Sequence, residues 1–533
     1  MTERPGPRRA RVAVIGSGVA GLGAAYRLAP HCEVVLYEAA GRAGGHAHSV
    51  QVTLDGVSHA VDVGFLVFNH RTYPRLRALF AELDVETAAA DMSFAVSIGP
   101  HAFEWCGKDD LRAVFAQPGN ALRPRFWRML FDLVRFNDAA TRLARSHGPQ
   151  ALGDVAPHRS ATGAAGATRT DPGDPSALTL AEFLDAGRYS SAFREDYLLP
   201  MAGAIWSCPL QTMLAFPALS FARFCDNHGL LQLRDRPQWF TVAGGSERYV
   251  NALLTRLRAH GASVHLGCAV HQVQRQGGRL WLRGDATKGP LAQAQAFDAV
   301  VLATHAPQAL ALLEQPSNAE QRVLGALRTQ PNQAYLHTDR RLMPRRERAW
   351  GAWNYLARGP ELASRPTLSA GPQRPSTAPV SVSYWLQALQ PLPFKRPLFV
   401  SLNPLTAPDP ACVLGEFEFA HPVYDLAALE AQQNLSEIQG AAGVWFAGAW
   451  TGYGFHEDGL RAGEQAAAAI LAQFATREPQ AGERTAREMP TQALTPTGDL
   501  EASAAIQGSD RGSKGRPDGR PDRADVEADA LTA

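Results

Sequence analysis

Lysine is nearly missing from this chain. It occurs only at Lys108, Lys288, Lys395 and Lys514, so almost all of the 52 basic residues are arginine. The formal net charge at pH 7 is +1, which offers no general electrostatic case for binding nucleic acid or an acidic partner. No apolar run approaches the length needed to span a bilayer. The opening MTERPGPRRARVAVIG passes from a basic, proline-containing lead straight into a strand, so no secretory leader is expected. The six cysteines, Cys32, Cys106, Cys208, Cys225, Cys268 and Cys412, show no C-x-x-C spacing. That excludes a zinc ribbon and points to reduced thiols in a cytoplasmic protein. No metal is expected either, because His46 and His48 have no carboxylate or cysteine near them in sequence.

What the chain has in abundance is organised glycine. Arg11 to Ile15 reads as a short apolar strand, and Gly16, Gly18 and Gly21 follow at the G-x-G-x-x-G spacing. Gly16 permits the turn, Gly18 lets the backbone approach a pyrophosphate, and Gly21 lets the helix pack on the strand. Ser17 and Ala20 belong to the same turn and helix start, whose amino terminus favours phosphate. Cys32 to Tyr37 forms the returning strand and ends at Glu38 and Ala39, where an acid meets a ribose hydroxyl. An acid at Glu38 repels a 2′-phosphate, so the expected nucleotide is FAD or NAD rather than NADP. At 533 residues the chain has room for two to four domains.

After Glu38 come Arg42, Gly44 and Gly45. The run E-x-x-x-R-x-G-G resembles the second flavin-binding signature of the flavin amine oxidase and phytoene desaturase superfamily, in which FAD occupies the Rossmann unit. That family usually has Arg after the paired glycines, where this chain has His46. The resemblance implies that Val63, Gly64 and Phe65 lie near the flavin, that backbone near Val270 meets the adenine, and that Ala303 and Thr304 end a strand passing the cofactor. It extends to GVWFAGAWTGYGFHEDGLRAGEQAAAAIL, where Gly448 lies by the phosphates and Asp458, Gly459 and Leu460 open a last helix aimed at the flavin. The fold it implies is α/β: a Rossmann-type, glutathione-reductase-like FAD-binding domain with an interleaved α+β substrate domain. The FAD-binding parts are residues 10–75, 241–323 and 419–473, and the substrate parts 76–240 and 324–418. Residues 146–176, 359–379 and 474–533 are Gly-, Pro- and polar-rich and read as disordered insertions and a tail.

LRPRFWRMLFDLVRF, residues 122–136, is a basic amphipathic helix with Phe126, Leu130, Leu133 and Val134 on one side. It reads as an ordinary domain helix, the alternative being a membrane-surface contact through which a lipid enters. Asn69 reads as a possible site residue or, more commonly in a strand-to-helix turn, as a turn former, Asn227 and His228 as weaker site candidates, and Ser246 as a helix cap. True amine oxidases resemble this chain less. Just before the last helix it has His456 and Glu457 in place of a cage tyrosine, and QPNQAYLHTD lacks the lysine those enzymes place near flavin N5. His456 and Glu457 are therefore the candidate catalytic pair, as proton acceptor or positioning groups, with a histidine expected to titrate near neutrality; the alternative is a structural role as turn and capping residues. With VGFLVFN, RPRFWRML, DNHGLL and GYGFHEDGLRAG, the chain resembles bacterial FAD-dependent oxidoreductases related to the flavoprotein part of plant cyclopropane fatty acid synthases. That resemblance implies non-covalent FAD and oxidation or desaturation of a modified fatty acyl chain. It also implies a cyclopropane-fatty-acid-synthase-like partner and a cytoplasmic protein, peripheral on the inner membrane face. Without a second G-x-G-x-x-G, electrons pass to oxygen or another acceptor. The alternatives are an amine oxidase acting on a small amine or polyamine, and a non-catalytic FAD-binding partner of a lipid enzyme.

Overall fold

The computed structural model describes residues 9–99, 102–108, 110–146, 178–206, 210–285, 289–359 and 380–477. The insertions expected at 146–176 and 359–379 and the tail beyond 477 lie, but for their first residues, outside these. The core is a parallel five-stranded sheet in the order Ser263–His265, Glu33–Tyr37, Arg11–Ile15, Ala299–Leu302, Val444–Phe446. Val12, Val14, Val301 and Val444 are fully buried, as expected of strands covered on both faces, whose sequences run apolar without alternation. Residues near both ends of the described chain therefore meet in one sheet.

Six helices bear on the site: α1 (Val19–Leu28), α2 (Pro74–Glu82), α3 (Leu111–Val114), α4 (Pro124–Arg145), α5 (Ala218–Asn227) and α6 (His456–Arg477). Helices α1 and α6 cross at small residues. A Cβ on Gly463 would lie 2.0 Å from the Ala20 carbonyl oxygen, and one on Gly459 would lie 2.9 Å from Val19 Cγ1. This crossing places the start of α6 beside the glycine turn that begins α1. A seven-stranded mixed sheet, from Val413–Pro422 across to Phe103–Cys106, forms the other large layer. Beside it α4 and α5 enclose an aromatic core that includes Phe126, Phe136, Phe221 and Phe224.

Local chemistry explains where elements begin and end. The hairpin Ser49–Leu54 with Val57–Asp62 turns on Asp55–Gly56, both at positive φ, the two-residue turn that matches strand twist. Thr179 and Glu182 form a reciprocal capping box ahead of Leu180–Ala186. Two expected caps are corrected. Ser246 makes no cap bond; its hydroxyl and N–H instead donate to the buried Asp62 carboxylate at 2.7 and 2.8 Å. The last helix starts at His456 and not after Asp458, whose carboxylate accepts from the N–H groups of Tyr453 and Phe455, at 3.0 and 3.1 Å, inside the entering turn.

The crossing gives a direct stability test. Gly463→Ala drives a methyl into the Ala20 carbonyl and should cost about 1–3 kcal/mol of unfolding free energy. Gly325→Ala, in a helix with open space at the Cβ position, should instead be neutral or stabilising by up to about 1 kcal/mol. Denaturant titration of both variants checks this.

Candidate active site

One cavity of about 1360 Å³ runs from the glycine turn to the wall built by α4. That exceeds the roughly 300–1,000 Å³ of a drug-sized pocket, so it holds more than one small molecule. At its nucleotide end Gly16 takes φ +98°, and a Cβ there would lie 2.6 Å from the Ala303 carbonyl oxygen. Gly21 is equally constrained, its Cβ position lying 1.9 Å from the Gly16 carbonyl oxygen. Gly18 differs. Its φ is −65°, ordinary for any residue, and no atom lies within 4 Å of its Cβ position. Nothing in the protein demands glycine there, so what the missing side chain leaves is an open cradle at the amino terminus of α1. Glu38, on the same wall, accepts from Ser17 N and Oγ (2.8 and 2.7 Å) and from Ala40 N (2.9 Å). A carboxylate has about four acceptor sites, which leaves capacity for a ribose hydroxyl.

The paired glycines fold a loop over this cradle. Gly44 and Gly45 have φ +112° and +58°, and a Cβ on Gly45 would lie 3.0 Å from Gly18 Cα. Gly44 N–H donates to the Ser17 carbonyl at 3.0 Å, and Phe65 N–H to the His46 carbonyl at 2.7 Å. Gly64 must be small because its Cβ would sit 2.2 Å from that same carbonyl oxygen. Arg42 does not line the cavity: its guanidinium donates to the Gly45 carbonyl at 2.8 Å and holds the loop from behind. Ala20, Ala39, Val270, Ala303, Thr304 and Gly448 join Ser17 and the turn glycines on the wall. Gly21, Gly44, Gly459, Leu460 and Asp458 do not. Gly459 and Leu460, expected at the cofactor, pack on α1, and Asp458 pairs with Arg461 at 3.2 Å.

Deeper in, imidazoles dominate. His46 lies 5.6 Å from His421 and 6.0 Å from His305, ring to ring, and 5.3 Å from Phe419. His46 Nε2 is buried with no hydrogen-bond partner. His456 stacks on Phe65 at 3.7 Å, and its Nε2 lies 3.1 Å from the Tyr249 hydroxyl. Burial pushes His456 down to about 3 and His421 to about 4, and burial among its neighbours holds His46 well below the usual range. All are neutral at pH 7. The expectation that His456 titrates near neutrality is corrected: with its proton affinity lowered so far, it is a weak base. For Glu457 the geometry is that of the capping alternative. Its carboxylate accepts from Arg75 N and Leu76 N, at 2.9 and 3.0 Å, capping α2 and facing away from the large cavity. Asn69 is a turn former, its Oδ1 accepting from Arg71 and Thr72 N–H groups, while His228 lines the cavity and Asn227 does not.

The other carboxylates on the wall are engaged. Asp91 pairs with Lys108 at 3.0 Å, and Asp110 caps α3. Among the described residues no group of three or more His, Cys, Asp or Glu side chains is placed to hold a metal ion. Sequence reasoning missed His305 and His421, which lie far from His46 along the chain. It also missed Asp62, which ties the Ser49 strand, the Ser246 turn and Gln390 together.

A family profile described as flavin containing amine oxidoreductase matches residues 19–391. No curated protein matches the sequence. Similar solved structures include a CLA-producing fatty acid isomerase from P. acnes, 14% identical with TM-score 0.56, covering 87% of this chain and 98% of its own. Putrescine oxidase bound to putrescine is 16% identical with TM-score 0.57, covering 87% and 99%. Cyclohexylamine oxidase from Brevibacterium oxydans IH-35A is 16% identical with TM-score 0.55, covering 88% and 100%. At these identities the likeness is one of fold, an α/β fold pairing a Rossmann-like domain with a substrate domain.

Two outcomes follow from the titrating groups. Eight histidines are held below their usual range (46, 48, 228, 265, 305, 337, 421 and 456), against four carboxyls raised by burial, Asp62, Asp196, Glu457 and Asp458. A lowered histidine contributes stability that is complete above about 6.5 and lost as pH falls toward 4 or 3. The raised carboxyls act oppositely, Asp62 losing its contribution as pH rises toward about 6. The histidines outnumber them, so the melting temperature should fall on acidification from pH 7 to 5; a rise would contradict the assignment. Glu457→Gln should cost about 1–3 kcal/mol of stability by weakening the α2 cap, while turnover per bound cofactor stays within about twofold of the parent.

Proposed function

This chain belongs to the flavin-containing amine oxidoreductase family and is an FAD-dependent oxidoreductase, and from that premise we propose that it removes hydride from an apolar substrate, desaturating or oxidising a modified fatty acyl chain. The observation that carries this reading is the cavity wall away from the glycine turn. Leu130, Leu133, Val134, Met201, Ile205 and Leu230 line it, and a chain of methylenes gains about 0.8 kcal/mol per buried CH₂ from such a surface. A polyamine is held by carboxylates that meet its ammonium groups, whereas beyond the nucleotide end Asp91 is paired with Lys108 and Asp110 caps α3. A fatty acid isomerase among the proteins of similar fold is consistent with an acyl substrate.

The residues present fit FAD. The Gly18 cradle, the α1 amino terminus and the spare acceptor on Glu38 suit a pyrophosphate and ribose, and the orphan Nε2 of His46 offers a hydrogen-bonding group further in. Bound there, FAD supplies the two-electron oxidation that no side chain performs. Desaturation removes a hydride and a proton from adjacent carbons, so the chain's own task is to hold those carbons, exclude water and receive the proton. Phe65 and His456 form a stacked floor for this, and His46, held well below the usual range like His456, is a hydrogen-bonding group there and not the base. Cysteine attachment of the flavin is not part of the reading: Cys268, on the wall, sits at the nucleotide end, its N–H on the Glu38 carbonyl. A cyclopropane-fatty-acid-synthase-like enzyme is the kind of partner that would supply the modified chain.

Anaerobic absorbance of the FAD-loaded protein tests the reading. Phospholipids with unsaturated or methylated acyl chains should bleach the oxidised-flavin band; bleaching by polyamines alone would overturn it in favour of amine oxidation. No bleaching by either class would favour a non-catalytic partner. The cradle has its own test: Gly18→Val should lower bound FAD by about tenfold or more while the apoprotein keeps its melting temperature, because the added methyls enter open space.

A further inference from the structure

Nine large apolar side chains among the described residues are exposed, and six of them belong to α3, α4, the segment between them and the cavity rim. Leu111, Leu122, Trp127, Phe131, Val134 and Leu233 are 46% to 88% exposed. Val57, Leu266 and Leu414 lie apart from them in sequence and are less exposed, at 38% to 42%. Continuity of the six follows from contacts. Trp127 packs at a tilt against Phe115 of the α3 turn, ring centroids 5.7 Å apart, and donates Nε1–H to the Ala121 carbonyl beside Leu122. Trp127, Phe131 and Val134 follow at i, i+4 and i+7, which makes a second apolar stripe on α4, opposite the buried stripe of Phe126, Met129, Leu133 and Phe136. A helix covered on one side should be polar on the other. The amino-terminal half of this one is not, although Asp138, Arg142 and Arg145 make the rest of that face charged; single exposed apolar residues are ordinary while a contiguous group is an interaction site.

The stripe ends at the cavity. Val134 and Leu233 are both exposed and both line it, with Val114, Leu130 and Arg236, so they form its mouth. Arginines ring the same face. Arg128 and Arg135 lie 5.8 and 5.7 Å over the Phe131 ring, pinned by the buried Asp132 at 3.0 and 2.6 Å. Arg112, Arg123 and Arg234 are exposed around it. Trp and Phe between guanidinium groups suit the boundary of acyl chains and anionic headgroups. No helix among the described residues is long and apolar enough to cross a membrane, so contact through this face is in-plane.

We propose that the α3–α4 face docks on an anionic lipid bilayer, with Trp127 and Phe131 in the headgroup boundary and the cavity mouth open to the acyl layer. The inference rests on the acyl-chain reading only for what passes through the mouth; docking itself is independent of chemistry. The test is co-sedimentation of the full-length FAD-loaded protein with vesicles of phosphatidylcholine alone or mixed with phosphatidylglycerol. Binding is expected to the mixed vesicles, to weaken with added salt, and to fall about tenfold in the double variant W127E/F131E, with FAD content and melting temperature retained. Leu414→Glu, on an exposed leucine elsewhere, should bind like the parent. Absence of binding to either vesicle, or unchanged binding by W127E/F131E, overturns the proposal. So does a concentration-dependent dimer abolished by that pair, which would assign the face to a second copy of the chain. Flavin bleaching by detergent-dispersed acyl substrate separates the two readings: if it persists while vesicle binding fails, docking alone is wrong.

Discussion

Backbone lies against backbone at glycine throughout this molecule, and the site exists because of it. Gly21 sits on the Gly16 carbonyl, Gly45 against Gly18, Gly64 on the His46 carbonyl and Gly463 on the Ala20 carbonyl. Three of these contacts are closer than a Cβ permits, and the fourth, Gly45 on Gly18, leaves it barely enough room. Together they draw the first strand and helix, the loop at 44–46, the segment at 64 and the last helix into one corner. Interiors are packed too densely for such contacts to open by even one methylene without cost. The cradle at Gly18 is the exception that gives the corner a use, since there the missing side chain faces space and not protein.

From that corner the chemistry of the wall changes in order. Near the turn it offers N–H groups, a helix amino terminus and a mostly satisfied carboxylate. Deeper in come the neutral imidazoles of His46, His305, His421 and His456 and the rings of Phe65 and Phe419. Beyond them the surface is aliphatic as far as α4. Charge is scarce once the nucleotide end is passed: the wall's lysine is paired with Asp91, Arg236 stands at the mouth and donates to the Gln232 and Gly107 carbonyls, and the histidines are neutral. A wall of this kind favours uncharged, apolar groups and penalises a cation, which would enter without a free counter-charge.

The glycine signatures were legible because each need is local: a turn, a close approach, a helix start, all within a few residues. Glu38, Gly448 and Val270 were placed on the wall for the same reason, by motifs that carry their context with them. The roles of Glu457 and Asp458 were not legible. Glu457 caps a helix whose N–H groups lie 382 residues away in sequence, so that partner cannot be inferred from spacing; Asp458 closes a local turn from inside the helix, and its role was hidden because the helix starts three residues earlier than the sequence suggests. The histidine wall was half visible. His46 and His456 stood out beside motifs, but their loss of basicity depends on burial and on rings contributed by distant strands. The outer stripe of α4 was misread: Val134 was grouped with the core-facing residues of a 3.6-residue pattern, and only the packing shows that the helix has two apolar faces.

On the acyl-chain proposal, one continuous cavity seats FAD at the glycine turn and an acyl chain between α4 and the Phe65–His456 floor. The most direct measurement is a crystal structure of the FAD-loaded protein soaked with a long-chain fatty acid brominated along its length, read by the anomalous signal of bromine. The account expects bromine inside the cavity, between Leu130 or Leu133 and His456. Bromine only on the outer surface, or a cavity from which the fatty acid is excluded while a polyamine enters, would contradict it.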